Sequence, residues 1–176
     1  MLGAAGALCC VAAGAAVGGW MRERRMARWR MLLAEMDVLG GMRLLLEQER
    51  PAVPELLHAA SGYAGCAEGA EQVAKRLAYA ARKMEEEPFL SVGQAYSLAC
   101  ANVYMPWEME QERAAMERLF RQLGSGTAGM RAEACAACSR RLRPLAEEAQ
   151  LQAQRGGKLC MQLGLLLGLM AGIALW

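Results

Sequence analysis

Residues 159–176 read LCMQLGLLLGLMAGIALW, eighteen positions without a charged side chain. As a helix rising roughly 1.5 Å per residue they extend about 27 Å. That nearly matches a hydrocarbon core of about 30 Å, and Gly156-Gly157 can lengthen the stretch slightly. A buried helix of this composition needs protein on every side, more than one domain in a chain of 176 residues readily supplies. The stretch therefore predicts a transmembrane helix over 156–176.

Residues 1–21, MLGAAGALCCVAAGAAVGGWM, are also uncharged, with Ala and Gly in place of Leu. A secretory signal peptide carries its positive charge before the apolar stretch. Here the arginines follow it, in RERRMARWR. An uncleaved anchor over 1–21 is expected, with Arg22, Arg24, Arg25, Arg28 and Arg30 held on the cytoplasmic side and touching anionic headgroups. Arg155 and Lys158 flank the second span in the same sense. Both spans place the middle of the chain, 22–155, in the cytoplasm.

Small residues recur every fourth position in each span: Gly6, Cys10, Gly14 and Gly18 in one, and Gly164, Gly168 and Gly172 in the other. Such ridges let helix backbones approach closely where lipid offers no hydrophobic drive, and they predict packing of the spans on one another or on partner spans. Common use of Gly and Ala in membrane helices explains the same spacing without a contact.

Between the spans the chain reads as helix. Ala, Leu, Met, Glu and Arg lose little side-chain freedom there, and no stretch of appreciable length alternates with period two. The positions Trp29, Leu32, Leu33, Met36, Leu39 and Leu46 continue the first span as one long helix to Arg50-Pro51, loosened at Gly40-Gly41. Pro54 opens a short helix as a first-turn proline. Amphipathic spacing marks a helix from about Ala67 to Met84, with Val73, Leu77 and Met84 on one face, ending at Glu85-Glu86-Glu87-Pro88. Ser91 caps a helix carrying Ala95 and Leu98, and Pro106 starts another with the stripe Met109, Met116, Leu119, Phe120 and Leu123. Leu123-Gly124-Ser-Gly-Thr127 is a helix stop followed by a cap, the chemistry of a tight helical corner. The last helix runs from about Ala128 towards the second span, with a kink expected at Pro144. The expected fold is all-α, an antiparallel cytoplasmic helical bundle hung from two membrane anchors.

Chemistry-bearing motifs are sparse. Gly124-Ser-Gly126-Thr127 has neither the preceding strand nor the Lys of a phosphate loop. Seven cysteines form an odd set, and only Cys135-Ala-Ala-Cys138 has motif spacing. Zinc would need a second ligand pair, and the single histidine, His58, has no cysteine pair near it in sequence. Both thiols read as small packing residues on one helix face, and reduced thiols are expected. His58 reads as a surface residue, and Glu85–Glu87 as a solvated helix end. A net charge of +2 gives no reason to expect nucleic acid. No enzyme, metal or cofactor is indicated.

The order of these segments resembles the stage III sporulation protein AB family: the N-terminal span, the helix with LLAEMDVL (32–39), the Pro-rich turn before LLHAAS (56–61), the corner LFRQLGSG (119–126), and LGLLLGLMAGIALW (163–176). The family's corner reads Leu-Gly-x-x-Asp before a Gln-containing helix. Leu123-Gly124 fits it, while Thr127 stands in place of the Asp and Met130-Arg131 in place of the Gln region. The resemblance implies a cytoplasmic domain similar to the type II secretion F platform protein. It also implies membership of the stage III A complex in the mother-cell membrane around the forespore. Other proteins of that operon are the implied partners, above all a secretion-type ATPase, with self-association possible. A membrane-tethered helical adaptor and a thiol-redox protein using Cys135 and Cys138 are the competing readings.

Overall fold

The computed structural model describes the backbone of residues 2–64 and 69–174, and the side chains of these except 2–11, 14–15, 22, 155–165, 167–169 and 171–174. Helices α1 (Leu2–Gln48), α2 (Val53–Ser61), α3 (Ala70–Glu86), α4 (Val92–Asn102), α5 (Glu110–Leu123) and α6 (Ala128–Ala174) follow in order, with a 3₁₀ turn at Gly62–Ala64. Among the described residues there is no strand. The all-α expectation holds.

The chain divides into two units, residues 30–147 and residues 1–29 with 148–176. In the first, α2 packs on α3, α3 on α4 and α4 on α5. Its core takes Met31, Leu32, Val38, Leu39, Met42 and Leu46 from α1, Leu56 and Leu57 from α2, and Val73 and Leu77 from α3. Tyr96 of α4 stacks on Phe120 of α5 with ring centroids 3.8 Å apart. Residues Cys135, Cys138 and Leu142 of α6 complete it.

Local chemistry sets the ends. The backbone N–H groups of Glu49 and Arg50 both donate to Leu45 O, with Arg50 in the left-handed region at φ 51° just before Pro51. Pro54 lies in the first turn of α2, where its missing N–H costs nothing, and Glu55 reaches back to accept from Ala52 N at 3.3 Å. Ser91 caps α4, accepting from Gln94 N at 3.3 Å while Gln94 accepts from Ser91 N at 3.0 Å, a reciprocal capping box.

Helix α3 begins at Ala70, after Gly69 at φ 91°; the expected start near Ala67 lies outside the described residues. Three sequence expectations shift. Pro106 precedes α5 without starting it: Glu112 accepts from Met109 N at 2.8 Å and fixes the helix start at Glu110. Met109, Leu33 and Leu98 are exposed, while Leu32, Ala95 with Tyr96 and Ala99, and Met116 onward are buried. Helix α1 runs through Gly40-Gly41 without a break. Gly41 instead gives room to Tyr63, whose Cγ lies 2.5 Å from where a Cβ would stand.

In the second unit, α1 and α6 meet at Gln152. Its backbone carbonyl accepts from Arg25 Nη1 at 3.4 Å and its side-chain oxygen from Arg28 Nη1 at 3.5 Å, beside buried Ala27, Ala149 and Ala153. Among the described residues no helix is long and apolar enough to cross a membrane. Most side chains of 1–21 and 156–176, on which the two-anchor expectation rests, lie outside the description.

Candidate functional site

The unit of residues 30–147 holds a cluster of charge inside an apolar core. Glu35 projects from α1 at heptad-like spacing with Leu32, Leu39 and Met42, so it sits on the buried stripe and is 1% exposed. Arg76 of α3 enters the same interior and is 2% exposed. Its guanidinium donates from Nη1 to Glu108 Oε1 at 2.5 Å and from Nη2 to Glu108 Oε2 at 3.1 Å, a planar two-pronged pairing. Nη2 also donates to Val103 O at 3.1 Å, so Arg76 holds the irregular segment between α4 and α5 against α3. Glu112, at the start of α5, is fully buried.

Burial opposes the charge of Arg76, but the bond to Glu108, with Tyr96 and Cys100 nearby, keeps its pKa above the usual arginine value. Glu35 has no such counterpart. Neither of its carboxyl oxygens has a hydrogen-bond partner. Burial first, then the negative charges of Glu108 and Glu112, push it up to about 8, with Arg76 pulling the other way. Glu35 is therefore carried mostly neutral at pH 7.

The thiol pair lies at the same level of the bundle. Cys138 Sγ approaches Ala115 O at 3.7 Å and Met116 Sδ at 3.9 Å, and both Cys135 and Cys138 are buried and free. Burial pushes each thiol up to about 12, with Cys138 adding to the shift on Cys135 and Glu35 to that on Cys138. A reactive cysteine needs the opposite, a depressed pKa in a positive setting with access. Both residues pack. Cys100 is also free, while Cys9, Cys10, Cys66 and Cys160 lie outside the described residues. His58 is half exposed and meets Glu85 at 3.4 Å on the surface. Among the described residues no group of acids, histidines and cysteines has the makings of a metal site.

Residues 124–127 connect α5 to α6. Leu123 is buried, Gly124 closes α5 in ordinary helical conformation, and Thr127 Oγ1 accepts from Met130 N at 3.4 Å. The residue needing glycine is Gly126, at φ 86°. Of the basic flank, Arg24 lies over the Trp20 ring at 4.5 Å, Arg25 and Arg28 bind Gln152, and Arg28 is buried. Arg30 is half-buried. Side chains of Arg22, Arg155 and Lys158 lie outside the described residues, as do the surroundings of Gly14, Gly164, Gly168 and Gly172, while Gly18 is buried in its own unit.

A surface groove of about 580 Å³ runs where α4 starts beside the end of α5, lined by Leu90, Ser91, Gly93, Gln94, Leu98 and Arg121. The close approach is made by Gly93, where a Cβ would stand 2.8 Å from Arg121 Cγ. Phe89, beside the groove, is fully exposed. Sequence reasoning missed both the groove and the buried charges. Glu35 was findable from its place on the apolar stripe, whereas Arg76, Glu108 and Glu112 had no local signal.

No curated protein and no solved structure gives a significant match to the chain. A family description does: the sequence model of stage III sporulation protein AB matches residues 3–176. The chain, helical throughout its described length apart from short connections, belongs to the stage III sporulation protein AB family.

Proposed function

We propose that this protein is a non-enzymatic membrane platform of the stage III A sporulation complex, presenting a cytoplasmic helical domain to a secretion-type ATPase. The observation that carries the reading is the arrangement along the chain: a helical unit over 30–147 lies between two uncharged stretches, each joined to it by continuous helix. Such an arrangement suits a protein that holds a docking domain at a bilayer. The arginines after residue 21 and the basic residues before residue 159 orient that domain to the cytoplasm. The family's sporulation role and its resemblance to the type II secretion F platform protein supply the setting, the mother-cell membrane around the forespore.

The buried thiols support a platform over a thiol enzyme, since neither is available as thiolate near neutral pH. The internal Arg76–Glu108 pair serves the same end by tying the segment between α4 and α5 to α3, giving the domain one defined surface.

Co-purification of the full chain from sporulating-cell membranes with the ATPase of the same complex tests the proposal. Recovery of the ATPase, and its loss on reversing exposed charges of the 30–147 unit, is the expected result. Recovery unaffected by every such reversal, or absence of the ATPase, contradicts docking.

A further inference from the structure

We infer that the groove between α4 and α5 is a self-association site, occupied by Phe89 of a second copy of this chain. The chain carries both halves of such a contact. Phe89 is fully exposed on the connection between α3 and α4, its whole ring available to a partner. Its neighbour Leu90 lines the groove together with Leu98, so an apolar receptor lies directly beside the apolar donor. Phe89 does not fold into that groove within its own chain.

Donor and receptor thus sit next to each other on one patch. A single two-fold axis through the patch satisfies both at once, with each Phe89 entering the other copy's groove, as an isologous interface requires. A volume of about 580 Å³ leaves room for an aromatic ring and its flanking backbone.

Charge selects the same occupant. Arg121 is the charged residue of the groove lining, and its side chain is 63% exposed. Its partner within the chain is Glu117 at 3.9 Å, a loose surface pair. Glu85, Glu86 and Glu87 immediately precede Pro88 and Phe89. Entry of Phe89 brings Glu87 of the incoming copy alongside Arg121. Glu87 meets Lys83 at 3.6 Å, a loose surface pair, with 56% of its side chain exposed. The patch is small, so the contact falls at the weak end of specific interfaces and depends on high local concentration, as in a membrane assembly. This inference does not depend on ATPase docking.

The test uses two differently tagged full-length copies co-expressed in their native membrane, with a photoreactive p-benzoylphenylalanine replacing Phe89 in one. Illumination is expected to give an adduct carrying both tags, with insertion mapped to 90–98 or to Arg121 of the other copy. Arg121→Glu and Glu87→Arg each lower the yield several-fold, and the double variant restores it, which a folding defect in either single variant cannot do. Adducts only with another protein, a yield unchanged by Arg121→Glu, or failure of the double variant to restore it would each overturn the assignment.

Discussion

Arg76 and Glu108, 32 residues apart, form a two-pronged ion pair with side chains only 3% and 6% exposed. The consequences of removing one partner follow directly. Arg76→Met leaves Glu108 buried and uncompensated, a loss of roughly 3–5 kcal/mol. Replacing both, as Arg76→Met with Glu108→Leu, removes the desolvated charges together and is expected to cost much less. Urea denaturation of the full chain in mild detergent, comparing single and double variants, measures the coupling between them.

Glu35 predicts an unusual pH dependence. Its carboxyl is pushed up to about 8 in the folded protein against 4.5 for an ordinary glutamate, so between those limits the folded state holds the extra proton. Stability from this group is full below about 4.5, declines as pH rises, and is lost above about 8. The charged and titratable groups that interact with it include Arg76 of α3, Tyr96 of α4, Glu108 and Glu112 around the start of α5, and Cys138 of α6. Glu35→Gln is expected to flatten the profile and to melt higher than the parent at pH 9. Thermal scans at pH 5, 7 and 9 check it. A parallel decline in parent and variant would contradict the assignment.

Most of the helix plan was readable in the sequence because prolines, glycines and caps mark their own positions: Pro54, Ser91, and the Leu123–Thr127 corner act through bonds to near neighbours. The interior was less readable. Leu33, Leu98 and Met109 fit an apolar period as well as the residues that are buried, and only packing by other helices decides between faces. Glu85–Glu87 read as a solvated helix end and are exposed. Arg76 and Glu108 drew no reading, because their burial depends on a partner 32 positions away. Cys135 and Cys138 were legible as packing residues, since two small side chains three apart share a helix face.

Neighbouring glycines in α1 are expected to respond in opposite ways. A Cβ at Gly40 meets nothing within 4 Å, so Gly40→Ala gains helix propensity, about 1 kcal/mol. At Gly41 the new methyl runs into the Tyr63 ring. Gly41→Ala is expected to show no such gain, and to recover it when combined with Tyr63→Ala. Denaturation midpoints of the three variants, with Tyr63→Ala alone as the reference for the double change, decide the matter.

Thiol chemistry offers a separate check. In the native protein Cys135 and Cys138 are expected to resist maleimide at pH 7, reacting only after denaturation, because burial raises both to about 12. Replacing both with Ala is expected to leave sporulation unchanged. Loss of sporulation with the variant still folded and present in the membrane would favour a redox role.

The central claim, a helical domain held at the cytoplasmic face between two anchors, is tested most directly by topology. A reporter fused after Arg50 is predicted to be active only in its cytoplasmic form, with the protein staying in the membrane pellet after alkaline carbonate extraction. Activity of the reporter on the far side of the bilayer, or release of the protein into the supernatant, would contradict the account.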